Sequence, residues 1–136
     1  MDWKKNKGIA VRDELTDEWK KRGVKEEKDY SILTAEISKA TFDMTPTEYK
    51  KFKGLKKENL RDHMNDLELI FSMLGERVST EITRKEDAQG YTEVENAAKR
   101  GGKIAGNARK DTEKELDSSI TSNENYLSRK ENNKIK

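Results

Sequence analysis

Apolar residues along this chain recur mainly at spacings of three and four, the period of a helix with one buried face. Val11, Leu15 and Trp19 fall at i, i+4 and i+8, and Lys20, Lys21, Arg22 and Gly23 follow them. Cations in a last turn with a glycine just beyond it stop a helix, so the pattern predicts one over residues 8–22. Residues 1–7 could extend it, and Trp3 would then need a partner. Tyr30, Leu33, Ile37 and Ala40 form a second stripe. Asp29 is a good N-cap for it, which predicts a helix from Asp29 to about Ala40. Residues 41–44 then read as a connector anchored by Phe42 and Met44.

Thr45-Pro46-Thr47-Glu48 is a capping box with proline at the first helical position. The helix it opens should end near Lys53, with Gly54 as its cap and with Tyr49 and Phe52 both facing inward. Residues 55–64 read as a connector with at most one helical turn. Asn65 and Glu68 repeat the capping logic and predict a helix from Asp66 to about Arg84. Its stripe is Leu67, Ile70, Phe71 and Leu74, continued by Val78 and Ile82. Leu67, Leu69, Ile70, Phe71, Met73 and Leu74 are the densest apolar run in the chain, so the core is expected to be built on this helix. Gly75 lies inside it and costs about 1 kcal/mol relative to alanine unless something packs closely against it.

Gly90 breaks the pattern, and Thr92-Glu93-Val94-Glu95 is a third capping box, predicting a helix over 92–115. Ala98, Gly102 and Gly106 recur at every fourth position, as do Ala97, Gly101 and Ala105. This spacing has two readings. It makes a flat face that admits another helix at close range, or Gly101-Gly102 simply breaks the helix. The segment from Asp117 is polar. Ile120, Tyr126 and Leu127 could dock it, and residues 128–136 read as disordered. The fold class is therefore all-α: a small bundle of about five helices with short connections. One domain over 1–127 is expected, with its core in 8–90.

Composition narrows this picture. Charged residues are 41% and hydrophobic ones 31%, against about 25% and 45–50% in ordinary globular chains, so the core must be small. Net charge is only +2, but it is segregated. Residues 50–61 hold six basic side chains and one acidic, 62–95 hold three basic and nine acidic, and 99–114 hold six basic and two acidic. Segregation of this kind orients a partner or a second copy. The absence of cysteine excludes disulfides and thiolate chemistry. The first residues lack an apolar leader, and no apolar run approaches the ~18 residues of a membrane span. A cytoplasmic protein without membrane contact is the expectation.

Candidate chemistry is sparse. His63, the one histidine, follows Asp62, but no nucleophile or further ligand stands at a recognisable spacing. A polar residue at a helix junction is the better reading. Acid pairs such as Glu26-Glu27 and Glu86-Asp87 sit among lysines and read as solvated faces. Gly101-Gly102-Lys103-Ile104-Ala105-Gly106 does not match a phosphate-binding loop. No catalytic residue, cofactor, metal site or small-molecule substrate is expected. What remains is Lys50, Lys51, Lys53, Lys56, Lys57 and Arg61, interleaved with Tyr49 and Phe52. The pattern suits phosphate contacts with base stacking, although charge runs are usually solvated faces.

Lys53-Gly54-Leu55-Lys56-Lys57, then Asp62-His63-Met64 and a capped apolar helix, preceded by a helix of the VRDELTDEWKKRGV kind, resemble the C-terminal region of the bacterial DNA-damage-inducible protein D family. The resemblance covers roughly residues 8–90 and continues more weakly around Gly101-Gly102. It implies a non-enzymatic protein of the SOS response that acts on recombinase filaments on single-stranded DNA and promotes their disassembly. That family usually carries a BRO-like N-terminal domain, which has no counterpart in this sequence, so whether the chain alone keeps the activity stays open. Two alternatives stand beside it. One is a phage- or mobile-element-derived, antirepressor-like regulator with a protein partner. The other is a plain oligomerisation domain that pairs copies through Ala98, Gly101, Gly102, Ala105 and Gly106.

Overall fold

The computed structural model describes residues 3–123, with side chains from residue 6 onward. The side chain of Trp3, the docking of Tyr126 and Leu127, and the disorder expected over 128–136 lie outside the described residues. Five α-helices follow one another: α1 (Trp3–Lys21), α2 (Glu27–Phe42), α3 (Pro46–Phe52), α4 (Asp66–Lys85) and α5 (Gly90–Leu116). A 3-10 turn at Leu60–His63 sits between α3 and α4, and no strand occurs among the described residues.

Most boundaries follow local hydrogen bonding. Thr45 and Asn65 form complete capping boxes with Glu48 and Glu68. Two starts differ from expectation. α2 begins at Glu27, and its N-cap Glu26 makes no side-chain cap bond. Asp29 lies inside the first turn, where its charge complements the helix dipole. α5 begins at Gly90, not Thr92, because the Gln89 amide donates to the Glu93 carboxylate at 2.8 Å. α2 also runs through the expected connector to Phe42 and stops at Asp43, which takes the left-handed conformation at φ 62°.

α4 and α5 form an antiparallel pair across a short link. Ser79 of α4 lies against Gly101, and Gly75 lies against Ala105. α1 runs parallel to α4, with Arg12 bonded to Glu76 and Arg22 to Asp87. α2 runs parallel to α5: Glu36 pairs with Lys99, and Ala40 lies against both Gly102 and Gly106.

The buried face of α4 is not the expected stripe. Leu67 and Ile70 are exposed, and the helix buries Phe71, Gly75, Ser79, Thr80 and Thr83. Small and hydroxyl-bearing side chains occupy this face because α5 approaches so closely. Their hydroxyls stay satisfied by donating one turn back, Ser79 to the Gly75 carbonyl at 2.7 Å and Thr83 to the Ser79 carbonyl at 2.7 Å. Apolar packing is consequently divided. One cluster gathers Leu15, Trp19, Val24, Leu33, Ile37 and Val94. The other gathers Phe42, Tyr49, Met64, Phe71 and Ile120.

Ion pairs tie α1 to α4. Burial works against the charge of Glu18, but hydrogen bonds from Arg22 and Arg84 outweigh it and hold the carboxyl below its ordinary value of 4.5. Bonds from Arg77 and Arg84 hold Glu14 down as well. A carboxyl depressed by folding contributes stability above its unfolded value and loses it as pH falls through the folded value. Melting temperature should therefore drop on acidification below about pH 5, and by less in Arg84→Met, which lacks the Arg84 bonds to Glu18 and Glu14 but keeps those from Arg22 and Arg77. Parallel pH profiles of the two proteins would contradict the assignment.

Candidate nucleic-acid interface

The basic segment is held by its own backbone. Lys53 and Gly54 close α3: the Leu55 amide donates to the Lys50 carbonyl at 2.8 Å, and the Gly54 amide to that of Lys51 at 3.1 Å. This closure needs a left-handed residue, and Gly54 supplies it at φ 73°. Leu55 is buried and anchors the loop. Glu58, the segment's one acid, turns back on the chain and accepts from the amides of Lys56 at 3.1 Å and Lys57 at 2.9 Å. Its own amide, then those two, hold its carboxyl below the ordinary glutamate range. Asn59 caps the 3-10 turn by accepting from the Arg61 amide at 2.9 Å.

The six cations of the basic segment divide into three groups. Lys51, Lys56 and Lys57 are exposed, and Lys50 is half-buried. Arg61 is half-buried and turns to Glu76, with Nη1 bonded to the two carboxylate oxygens at 2.8 and 3.1 Å. Lys53 is part of the core. Its ammonium lies 3.0 Å from Glu68 with both side chains fully buried. It also donates to the Ser122 carbonyl at 2.8 Å and stands 5.6 Å from the centre of the Tyr49 ring.

Glu68 is the hub of this network. Its carboxylate closes the Asn65 capping box by accepting from the Asn65 amide at 2.8 Å, and it also accepts from the Tyr49 hydroxyl and from the Ser122 amide. Burial, then the Glu68 charge, pushes the Tyr49 hydroxyl far above its ordinary value. Charge is tolerated here because every member is paired. The capping box was a sequence signal for where Glu68 points. Its burial depends on the segment around Ile120 and Ser122 folding back over it, which no local pattern announces.

Phe52 also departs from expectation. Tyr49 is fully buried, whereas Phe52 is 43% exposed at the end of α3, between Lys51 and the Gly54 turn. The loop thus presents one aromatic ring together with its outward lysines.

The small-residue face does engage helices, but within the chain. α5 is continuous through Gly101-Gly102, so the glycines are not a break. Ala98, Gly101, Gly102, Ala105 and Gly106 are all buried. Gly101 lies on α4 at Ser79, while Gly102 and Gly106 lie on α2 at Ile37, Ala40 and Thr41. α2 and α4 already occupy this face within the chain.

His63 is buried at the end of the 3-10 turn. Among the described residues no group of three metal-ligating side chains comes together, and no helix is long and apolar enough to cross a membrane. Two arginines escaped the sequence reading. Arg109 is buried and bonds the Thr41 carbonyl at 2.6 Å, Asp43 at 2.9 Å and Glu113 at 2.7 Å. Arg12 reaches across to Glu76 and Thr34.

No family model, curated protein or solved structure matches this chain. Fold and site define it as an all-α domain that displays a preordered cationic loop.

Proposed function

We propose that this chain is a non-enzymatic binding module for single-stranded DNA, bare or coated with recombinase, and that it serves the DNA-damage response. Lys51, Lys56 and Lys57 would meet backbone phosphates, and Phe52 would stack on a base. The observation that carries this reading is the half-exposed Phe52 ring at the end of α3, next to Lys51 and just ahead of a lysine loop whose backbone is pinned. A ring beside cations is the arrangement that single strands reward. A pinned loop also loses less entropy on binding than a free tail does. The likeness of residues 53–64 to the damage-inducible family directs the loop toward DNA repair.

The test is binding of a fluorescent oligothymidylate at low salt. Replacing Lys51, Lys56 and Lys57 by Glu should abolish binding and leave melting temperature nearly unchanged, because exposed charges add little stability. Phe52→Ala should weaken binding by about 1–3 kcal/mol, the contribution of one stacked base. Unaltered affinity in the triple-glutamate protein would reduce the loop to a solvated surface.

A further inference from the structure

Beside the loop lies a cleft between α1, α2, α3, the 3-10 turn and α4, with a volume of about 280 Å³. That is close to the lower end of small-molecule sites, roughly 300–1,000 Å³. One part of its wall is cationic, formed by Arg12, Lys50 and Arg61. Glu76, almost fully buried, is the acid that faces them. It fixes both guanidiniums, accepting from Arg12 Nη1 at 3.1 Å and from Arg61 Nη1 at 2.8 Å. Thr34 accepts from Arg12 Nη2 at 2.8 Å. Among the described residues Arg61 Nη2, on the side of Gly8, is buried without a hydrogen-bond partner. The remaining wall is largely apolar, with Ile37, Phe42 and Leu60 among its residues, and Ser72 borders it from α4.

Three cations against one carboxylate leave an excess of two positive charges in a partly enclosed space. Held guanidiniums already have the geometry for oxyanions and lose little entropy on binding one. A carboxylate offers too few oxygens and too little charge for the three cations that line the cleft. A phosphate monoester carries about −1.5 to −2 at neutral pH on three strong acceptor oxygens. The apolar wall suits a flat or apolar body attached to it. We infer that this cleft binds the phosphate monoester of a nucleotide, either free or at the 5′ end of a DNA strand. None of Lys51, Lys56, Lys57 and Phe52 lines the cleft, so it can be tested separately from the loop's binding to strand interiors.

Calorimetric titration with thymidine 5′-monophosphate tests the inference, with thymidine as the control. The nucleotide should bind saturably, one per chain, and thymidine at least about tenfold more weakly. Ser72→Leu should fill the cleft and lower nucleotide affinity by about tenfold or more. Its circular dichroism should be unchanged, because the Ser72 hydroxyl makes only a weak contact to Met64 sulfur at 3.8 Å. Arg12→Gln should weaken binding likewise. The Lys51, Lys56, Lys57 triple-glutamate protein should keep its nucleotide affinity, which separates failure of the cleft from failure of the loop. Tighter binding of a 5′-phosphorylated oligothymidylate than of its 5′-hydroxyl counterpart assigns the site to strand ends, and equal binding of the two assigns it to free nucleotide. The inference is overturned if thymidine binds as well as its monophosphate, if neither binds at about 1 mM, or if folded Ser72→Leu binds like the parent.

Discussion

Lys53→Met should lower the melting temperature by about 10–20 °C, from a loss of about 3–5 kcal/mol. The ammonium and the Glu68 carboxylate are both fully buried at 3.0 Å. Deleting one partner strands the other charge away from water, and that penalty exceeds any worth of the pair itself. The same reasoning predicts partial rescue. Glu68→Gln removes the stranded charge yet keeps an oxygen for the Asn65 amide, so Lys53→Met/Glu68→Gln should melt above Lys53→Met alone. Thermal denaturation of the three proteins decides this. A single variant that melts within a degree or so of the parent would put Lys53 back in the solvated loop with Lys51, Lys56 and Lys57.

Gly101→Ala should be destabilising although it replaces glycine by the best helix former. In an open helix the change would gain about 1 kcal/mol. Here a Cβ would stand 2.6 Å from the Ser79 amide nitrogen and 2.7 Å from its Cα. Those are backbone atoms of α4, which no side-chain rotation can move aside. Forcing the two helices apart costs about 1–3 kcal/mol or more and outweighs the propensity gain. It also stretches the bond from the Ser79 hydroxyl to the Ala98 carbonyl, now 3.3 Å. Gly101→Leu should prevent folding. The sign of the alanine effect is decisive: a higher melting temperature would mean that α4 and α5 are not packed this closely.

Features fixed within four residues were legible in the sequence. The capping boxes at Thr45 and Asn65, the stops at Gly23 and Gly54 and the order of the helices all follow from bonds between near neighbours. Burial was harder to read where it depends on which helices meet. Periodicity points to Leu67 and Ile70 because they are apolar, but α4 buries Gly75, Ser79 and Thr83, since only small groups fit beneath α5. Lys53 looks like its neighbours in sequence, and its buried partners, Glu68 and the Ser122 carbonyl, are distant in the chain. Phe52 and Tyr49 are three apart, a spacing that predicts one shared face. With α3 only seven residues long, Tyr49 faces the core and Phe52 stays exposed. The lysine loop was legible as a charge run, and its division into core, bridging and outward cations was not.

The salt dependence of oligothymidylate binding tests the outward lysines most directly. Each phosphate neutralised on a single strand contributes a slope of about −0.7 in log affinity against log salt. Lys51, Lys56 and Lys57 together predict a slope of about −2 for the parent. The Lys51, Lys56, Lys57 triple-glutamate protein should show no measurable binding under the same conditions. A parent that fails to bind at low salt, or whose affinity is insensitive to salt, would contradict the assignment of this loop to single-stranded DNA.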